Sequence, residues 1–405
     1  MPDVPTHHPE RGIPAISVQI PTRGRPGLLA AAVGALAAQD VRDGLRFEVI
    51  VGLDGAQAEA EVAARRAWDA AGGDGRATLR VVEFPRGGHL PIRRAMVSMT
   101  NAPLVLFMND DVVADAGLVA AHVAAHEEAA ERCATGPGAG GGGEGVRAYP
   151  HGVMVVGDSP WAEVGAAGAA AGVGETVLDR LVRETALIFF FDSLRAGAGE
   201  RWRDWGFRHF WTLNASAPRR AVEAVGGVRA IPETYGHEDI ELAFRLQERF
   251  GMAVLFRPEA RGVHRHRYGA ADVMRREEAL GVASWRFARA NPAFGAALFG
   301  RDVASESELA YSREFVERER RDAERLRADF EALGRMEAGG AGVSEALLGV
   351  LSRQFVLLKR WLWRKGLVEA AAAEAGAVSR SEAVAIEAEG VAAGASRVER
   401  AAVGS

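Results

Sequence analysis

Strand-length apolar runs alternating with helix-length runs over the first 130 residues predict an α/β fold with a mostly parallel central sheet flanked by helices. Two further observations fill in that fold. Leu104-Val105-Leu106-Phe107-Met108 is one buried strand in length and ends abruptly at Asn109-Asp110-Asp111. In an open parallel sheet this places the acids in the crevice beyond the carboxyl ends of the strands. From Ser305 onward the chain turns charge-rich and helical, which predicts a C-terminal helical extension.

The elements follow in order. Residues 1–13 are polar, carry Pro and His, and read as a disordered start without the apolar core of a secretory signal. Ile16–Ile20 alternates and stops at Pro21, as a first strand would. Pro26 opens a Leu- and Ala-rich helix to Gln39. Phe47–Leu53 is a second strand ending at Asp54-Gly55, Glu59–Ala71 a helix, Leu79–Phe84 a third strand and Pro91–Met99 a short helix. After the fourth strand, Asp115 caps a helix over 116–132. Residues 133–174 form a Gly/Ala-rich insertion: Thr135–Gly145 cannot hold a core, His151–Gly157 reads as a strand, and Trp161–Gly174 is again low in complexity. Residues 175–300 begin with a helix over Glu175–Leu194. Phe210–Ala217 then leads into a helix from Pro218 that Gly226-Gly227 ends, and His237-Glu238-Asp239 opens a helix to Phe250. Two short strands at Ala253–Phe256 and Arg261–His266 precede a helix over Asp272–Arg289. The extension, 301–376, holds helical patterns at Ser305–Glu337 and Val343–Glu374, and 377–405 is an Ala/Glu-rich, weakly ordered tail.

The 405 residues are 48% hydrophobic and 25% charged with a net charge of -5, which is ordinary globular material. Mild acidity argues against a nucleic-acid partner. Cys133 is the single cysteine, so the chain forms no internal disulfide and a cysteine-based zinc site is disfavoured. No stretch approaches the roughly 18 apolar residues of a membrane span.

Four pieces point to one crevice. Asp54, at the end of the second strand, suits a ribose or a base edge; an Asp-Gly turn explains it equally. Arg93, near a helix start, suits a phosphate, or is simply a solvated Arg. Asn109-Asp110-Asp111 offers hard oxygens to Mg or Mn carrying a diphosphate, or forms a turn after a strand. His264 and His266 share one strand face and could complete a metal shell, or mark a polar strand end. In addition, Glu238 and Asp239 lie in a first helical turn, where the dipole keeps a carboxylate ionised and able to accept a proton; capping and a Glu241/Arg245 pair are the structural alternative. His122 and His126 have the spacing of a helical metal pair but lack partner ligands, and read as an exposed helix face.

The motifs "ISVQIPTRGRP", "FEVIVGLDGA", "PIRRAM…APLVLFMNDDVVAD", "FWTLNASAPRRAVEAVGG" and "YGHEDIELAFRLQERFG…FRPEARGVHRH" resemble, in order and spacing, a family 2 glycosyltransferase with the GT-A fold, the nucleotide-diphospho-sugar transferase fold, over roughly residues 14–290. The resemblance makes 14–132 the nucleotide-sugar-binding half and 175–300 the acceptor and catalytic half. It implies transfer of a sugar from a nucleotide-diphosphate donor to a glycan or lipid-linked acceptor hydroxyl, with inversion, in polysaccharide biosynthesis. Pro21, Thr22, Arg25, Asp54, Arg93, Asn109 and Asp110 would bind the donor, and Asn214 and Ser216 the acceptor. Asp239 would be the base with Glu238 beside it, and Asp111, with His264 or His266, would hold Mn or Mg. Two departures stand out: Asn109 replaces the first acid of the metal motif, and Leu53-Asp54-Gly55 replaces a pair of acids.

Two other readings compete. A nucleotidyltransferase would favour a Lys-bearing, Gly-rich phosphate loop, where this chain has Pro21-Thr22-Arg23-Gly24-Arg25. A degenerate, non-catalytic family member acting as a binding or scaffold protein is suggested by Asn109 alone. The chain's features suit the cytoplasm. Lys359, Arg360, Arg364 and Lys365 around Trp361 and Trp363 raise peripheral contact of the 355–365 helix with the inner face of the membrane; helix packing is the favoured alternative.

Overall fold

The computed structural model describes residues 13–402 apart from 74, 76, 135–148, 165–173, 233 and 341, with side chains as far as residue 376. The expected disordered start, the Thr135–Gly145 loop, most of the Trp161–Gly174 stretch and the side chains of the 377–405 tail therefore lie outside the described residues.

The sheet has seven strands among the described residues: β1 (Ile16–Thr22), β2 (Phe47–Asp54), β3 (Ala77–Phe84), β4 (Leu104–Met108), β6 (Met154–Gly157), β7 (Asn214–Pro218) and β8 (Val254–Arg257). Their order is β3-β2-β1-β4-β7-β6-β8. β3, β2, β1 and β4 run parallel, β7 is antiparallel to β4, and β6 is antiparallel to β7 and parallel to β8. β5 (Val112–Ala114) pairs antiparallel with β9 (Gly262–His264) in a separate two-stranded ladder. This mostly parallel sheet with flanking helices and a helical C-terminal region is the predicted architecture.

Every residue of β1 and β2 is buried, as expected for strands covered on both faces. Four helices belong to this half: α1 (Pro26–Ala37), α2 (Ala58–Ala70), α3 (His89–Val97) and α4 (Leu118–Ala134). α3 lays Ile92 and Met96 on Ile50, Val82 and Phe84. Gly52 makes this approach possible, because a Cβ there would stand 2.3 Å from Ile92 Cγ2. α4 covers the other end, where Ala125 and Ala129 meet Val153, Val155, Ala253 and Leu255.

The boundaries expected for the first four strands hold to within about two residues. Glu175–Leu194 is not one helix but two, α5 (Val177–Glu184) and α6 (Phe191–Ala196). Thr176 and Asp179 form a capping box at the start of α5, and the Thr185 hydroxyl bonds back to the Leu181 carbonyl where it ends. Ser305–Glu337 likewise divides into helices Glu306–Arg318 and Arg320–Leu333. The remaining helices are Arg219–Ala224, Glu238–Phe250, Ala270–Ala290, Pro292–Phe299 and Glu345–Ala402.

Two compact units divide the chain: 1–272 with 328–355, and 273–327 with 356–405. The sheets belong to the first. The core of the second is Trp285, Ala288, Val303, Leu367, Ala370 and Ala371. There two helical segments cross in near backbone contact. A Cβ on Gly281 would lie 1.9 Å from the Trp363 carbonyl oxygen, and one on Gly366 would lie 2.0 Å from that of Glu278. The basic-aromatic segment is consumed by this packing. The Trp361 indole donates to the Val316 carbonyl (2.9 Å), that of Trp363 to Ser284 Oγ (2.8 Å), and Arg364 and Lys365 pair with Glu308 (2.8 Å) and Glu278 (2.6 Å). Among the described residues no helix is long and apolar enough to cross a membrane.

Candidate active site

The end of β4 delivers Asp110 and Asp111 into the crevice, with Asp110 fully buried and Asp111 nearly so. Two adjacent buried carboxylates need a cation, and the turn between β1 and α1 supplies Arg25. Its Nη2 and Nε donate to the two oxygens of Asp110, and its Nη1 donates to Asp111 Oδ2 at 2.7 Å. Thr22 Oγ1 donates to Asp110 Oδ2 at 2.5 Å. Burial alone would weaken Arg25's hold on its proton, but the two carboxylates outweigh it and push its pKa up. Burial raises Asp110 to about 6 despite Arg25 and Thr22. For Asp111 burial acts in the same sense but is overcome by His264, Arg25 and His266, which hold it at about 2.

The β5–β9 ladder brings the histidines in. Val112 pairs with His264, and the Arg265 N–H donates to the Asp111 carbonyl at 2.7 Å. His264 Nε2 lies 3.4 Å from Asp111 Oδ1, and His266 Nδ1 lies 3.7 Å from Oδ2. Trp161 stacks on His264 with ring centroids 4.2 Å apart, and the His264 N–H donates to the Pro160 carbonyl. Trp161 lies in the stretch that reads as low-complexity filler, so no sequence signal marked it.

Asp54 at the end of β2 accepts from the backbone N–H groups of Gly87 and Gly88 (2.7 and 3.1 Å) through Oδ1. Gly88 has φ 83°, a left-handed conformation that glycine adopts freely. Asp54 Oδ2 is buried and unbonded, with Arg23 at 3.6 Å. The residue thus ties β2 to the start of α3 through one oxygen. Pro21, the next-to-last residue of β1, is buried beside Thr22.

Arg93 is not a solvated surface residue. It is about 2% exposed, and its Nη2 donates to Asn109 Oδ1 (2.7 Å) and the Thr212 carbonyl (3.2 Å). Nε and Nη1 have no partner. Burial lowers its pKa to about 10 against the pull of four carboxylates: Glu238, Asp239, Asp110 and Asp111. Asn109, where an acid was expected, is therefore the side chain that receives Arg93.

His237, with φ 66°, turns the chain into the Glu238–Phe250 helix. Asp239 is half-buried, and its oxygens accept from the Ile240 N–H (2.8 Å) and the Thr212 N–H (3.4 Å). Burial and the neighbouring Glu238 charge push its pKa up. Glu238 would also be raised by burial, but His89 Nε2, 3.0 Å from its Oε1, holds it low. His89 is a residue the sequence reading missed; its place at the start of α3 after two glycines was the available signal. The Glu241/Arg245 pair expected from spacing is present at 2.8 Å, and Glu241 also receives Arg229.

Asn214 and Ser216 are not brought to this crevice. Both are fully buried. Asn214 bonds the Ala260 carbonyl (2.8 Å) and His122 (2.9 Å), and Ser216 lies 2.8 Å from ring nitrogens of both His122 and His126. Both side chains thus bond within the core. The exposed face expected for His122 and His126 is corrected: the two are buried, and burial lowers their pKa values to about 4 and about 3. Gly157 lets Asn214 fit, since a Cβ there would stand 2.4 Å from its Nδ2.

Asp111, His264 and His266 have the donor types for a divalent ion that keeps waters and takes diphosphate oxygens. Asp111 Oδ1 is buried without a hydrogen-bond partner, as an unused ligand atom would be. The donor set fits. Among the described residues, however, no three His, Cys, Asp or Glu side chains are drawn together as a metal cage, and the cation between the two carboxylates is Arg25.

Residues 17–168 match the family model described as glycosyl transferase family 2. That span holds Pro21, Thr22, Arg25, Asp54, Arg93, Asn109, Asp110 and Asp111, and stops short of Glu238, Asp239, His264 and His266. No curated protein sequence matches the chain. Among solved structures, the mannosyltransferase PcManGT from Pyrobaculum calidifontis, in complex with GDP-Man and Mn2+, is 16% identical over 92% of this chain and 90% of that one, with a TM-score of 0.46. S. aureus TarS 1–349 in complex with UDP-GlcNAc is 12% identical over 86% and 90%, with a TM-score of 0.42. Over residues 17–168, the chain is thus similar to family 2 of the glycosyl transferases.

Proposed function

We propose that this protein transfers a sugar from a nucleoside-diphosphate donor to an acceptor hydroxyl in one in-line displacement that inverts the anomeric carbon. The observation that carries the reading is Arg93, one buried guanidinium in the field of both acid pairs, Asp110–Asp111 and Glu238–Asp239. The first pair suits the diphosphate end of a donor, and the second suits the acceptor.

Each residue then has a task. Asp54 offers its unbonded oxygen to the ribose or base. Asp111, with His264 and His266, would hold Mn or Mg, which when bound supplies positive charge for the departing diphosphate. Asp239 accepts the proton of the acceptor hydroxyl as its oxygen attacks carbon; its raised pKa strengthens it as a base. Glu238, ionised against His89, keeps that pKa raised. The acceptor is a glycan or lipid-linked hydroxyl in this reading.

A thermal-shift panel with UDP, GDP, dTDP and CDP, each with and without Mn or Mg, tests this. A nucleotide at about 100 times its Kd stabilises the fold by about 2.7 kcal/mol. A metal-dependent shift with one nucleotide, lost in Asp111→Ala, is the expected result. A folded protein that shifts with none would overturn it in favour of a non-catalytic member of the family, the reading that Asn109 first suggested.

A further inference from the structure

We propose that Arg25 is a built-in competitor for the metal position: it closes the Asp110–Asp111 pair while the donor site is empty, and leaves for the diphosphate of an arriving nucleotide. The proposal rests on the reading that Asp111 and the two histidines hold a divalent ion.

Three observations lead to it. Arg25 engages two of the three prospective ligands at once, since its Nη1 lies 2.7 Å from Asp111 Oδ2 and 3.3 Å from His266 Nδ1. A divalent ion on that oxygen and that nitrogen would sit against the guanidinium, and like charges at such a distance exclude each other. Second, the carboxylates are enclosed while Arg25 is not. The side chain of Asp110 is 0% exposed and that of Asp111 5%, against 37% for Arg25, so the Arg25 side chain borders solvent and the acids do not. Third, its backbone sits in a turn between Gly24, at φ 67°, and Pro26, and caps α1 without a side-chain cap bond, so the side chain can move without unmaking the helix start.

A guanidinium drawn off two carboxylates needs another anion of matching geometry. Phosphate oxygens accept its forked N–H pairs as carboxylate oxygens do. The donor's diphosphate is the anion that the proposed reaction brings to this spot. Metal and nucleotide then enter together: the nucleotide takes Arg25, and the vacated Asp111 Oδ2 and His266 Nδ1 become free to coordinate. Without nucleotide, the acids are already neutralised from within.

The test is uptake of Mn2+ measured by the loss of the free-ion electron paramagnetic resonance signal, with no turnover required. Wild type, Arg25→Gln and Arg25→Gln/Asp111→Asn are each titrated with Mn2+ alone and with Mn2+ plus UDP or GDP, after circular dichroism has established that each is folded. Wild type is expected to take up Mn2+ only with nucleotide. Arg25→Gln is expected to bind Mn2+ alone at least tenfold more tightly than wild type, and the double variant to lose that binding. Should Arg25→Gln not fold, Arg25→Lys, which keeps a charge but lacks the planar fork that meets both carboxylates, is expected to show the same gain at smaller size. Wild type binding Mn2+ alone as tightly as the variant, or both binding only with nucleotide, overturns the role of Arg25 and leaves the metal reading standing. If no protein binds Mn2+ under any condition, the metal reading itself fails.

Discussion

At the scale of single residues, two neighbouring pairs of acids have been driven apart by their surroundings. Asp239 is raised by burial and by the charge of Glu238, while Glu238 is held ionised by His89. As the proposed base, Asp239 works only when ionised, so activity is expected to fall as pH drops through its pKa. Glu238→Gln removes the like charge and lowers that pKa. The acid limb of the kcat/KM profile is therefore expected to move to lower pH, whereas Asp239→Asn should lower kcat by about 10²–10⁴ with folding intact. The other pair makes a stability prediction. Asp111, held at about 2, contributes stability above the ordinary carboxylate range, and this is lost as pH falls toward 2. Asp110, raised to about 6, has the opposite sign: its ionisation costs stability as pH rises through 6. Denaturant unfolding at pH 7.5 should find Asp110→Asn neutral or stabilising and Asp111→Asn destabilising by about 1–2 kcal/mol.

At the scale of elements, sequence legibility followed burial. Strands β1, β2 and β4 were readable because they are buried along nearly their whole length and their ends are marked by Pro21, Asp54 and Asn109. The acids at those ends were readable for the same reason. Polar residues inside elements were not. Asn214 and Ser216 looked available because they are polar, yet His122 and His126 come from α4 to satisfy them, and nothing in either segment alone announces that pairing. His89 and Arg93 share α3, and only their distance to Glu238 and Asn109 reveals what they do. The glycines of the second unit were silent too. Gly281 and Gly366 each receive a backbone from the facing helix. Gly281→Ala must push the helices apart, and should cost about 1–3 kcal/mol in denaturant unfolding rather than gain the usual helix-propensity benefit.

For the whole molecule, most of the charge and aromatic content of residues 356–367 is spent on internal contacts, with Arg360 exposed. Trp361, Trp363, Arg364 and Lys365 each have a partner within the second unit. The full chain is therefore expected not to co-sediment with anionic vesicles, and Trp361→Ala should lower the unfolding midpoint, by about 3–5 kcal/mol in stability, without changing vesicle binding. Sedimentation of the full chain that truncation at residue 340 abolishes would contradict this.

The ladder between β5 and β9 joins Val112 to His264, with more than a third of the chain lying between them. Closing so long a loop is entropically unfavourable until the intervening segments have condensed. During synthesis, Asp110 and Asp111 emerge long before the histidines that complete their surroundings. A ribosome-bound chain therefore displays Arg25 and the acids before the strand that carries the histidines beside them has been made.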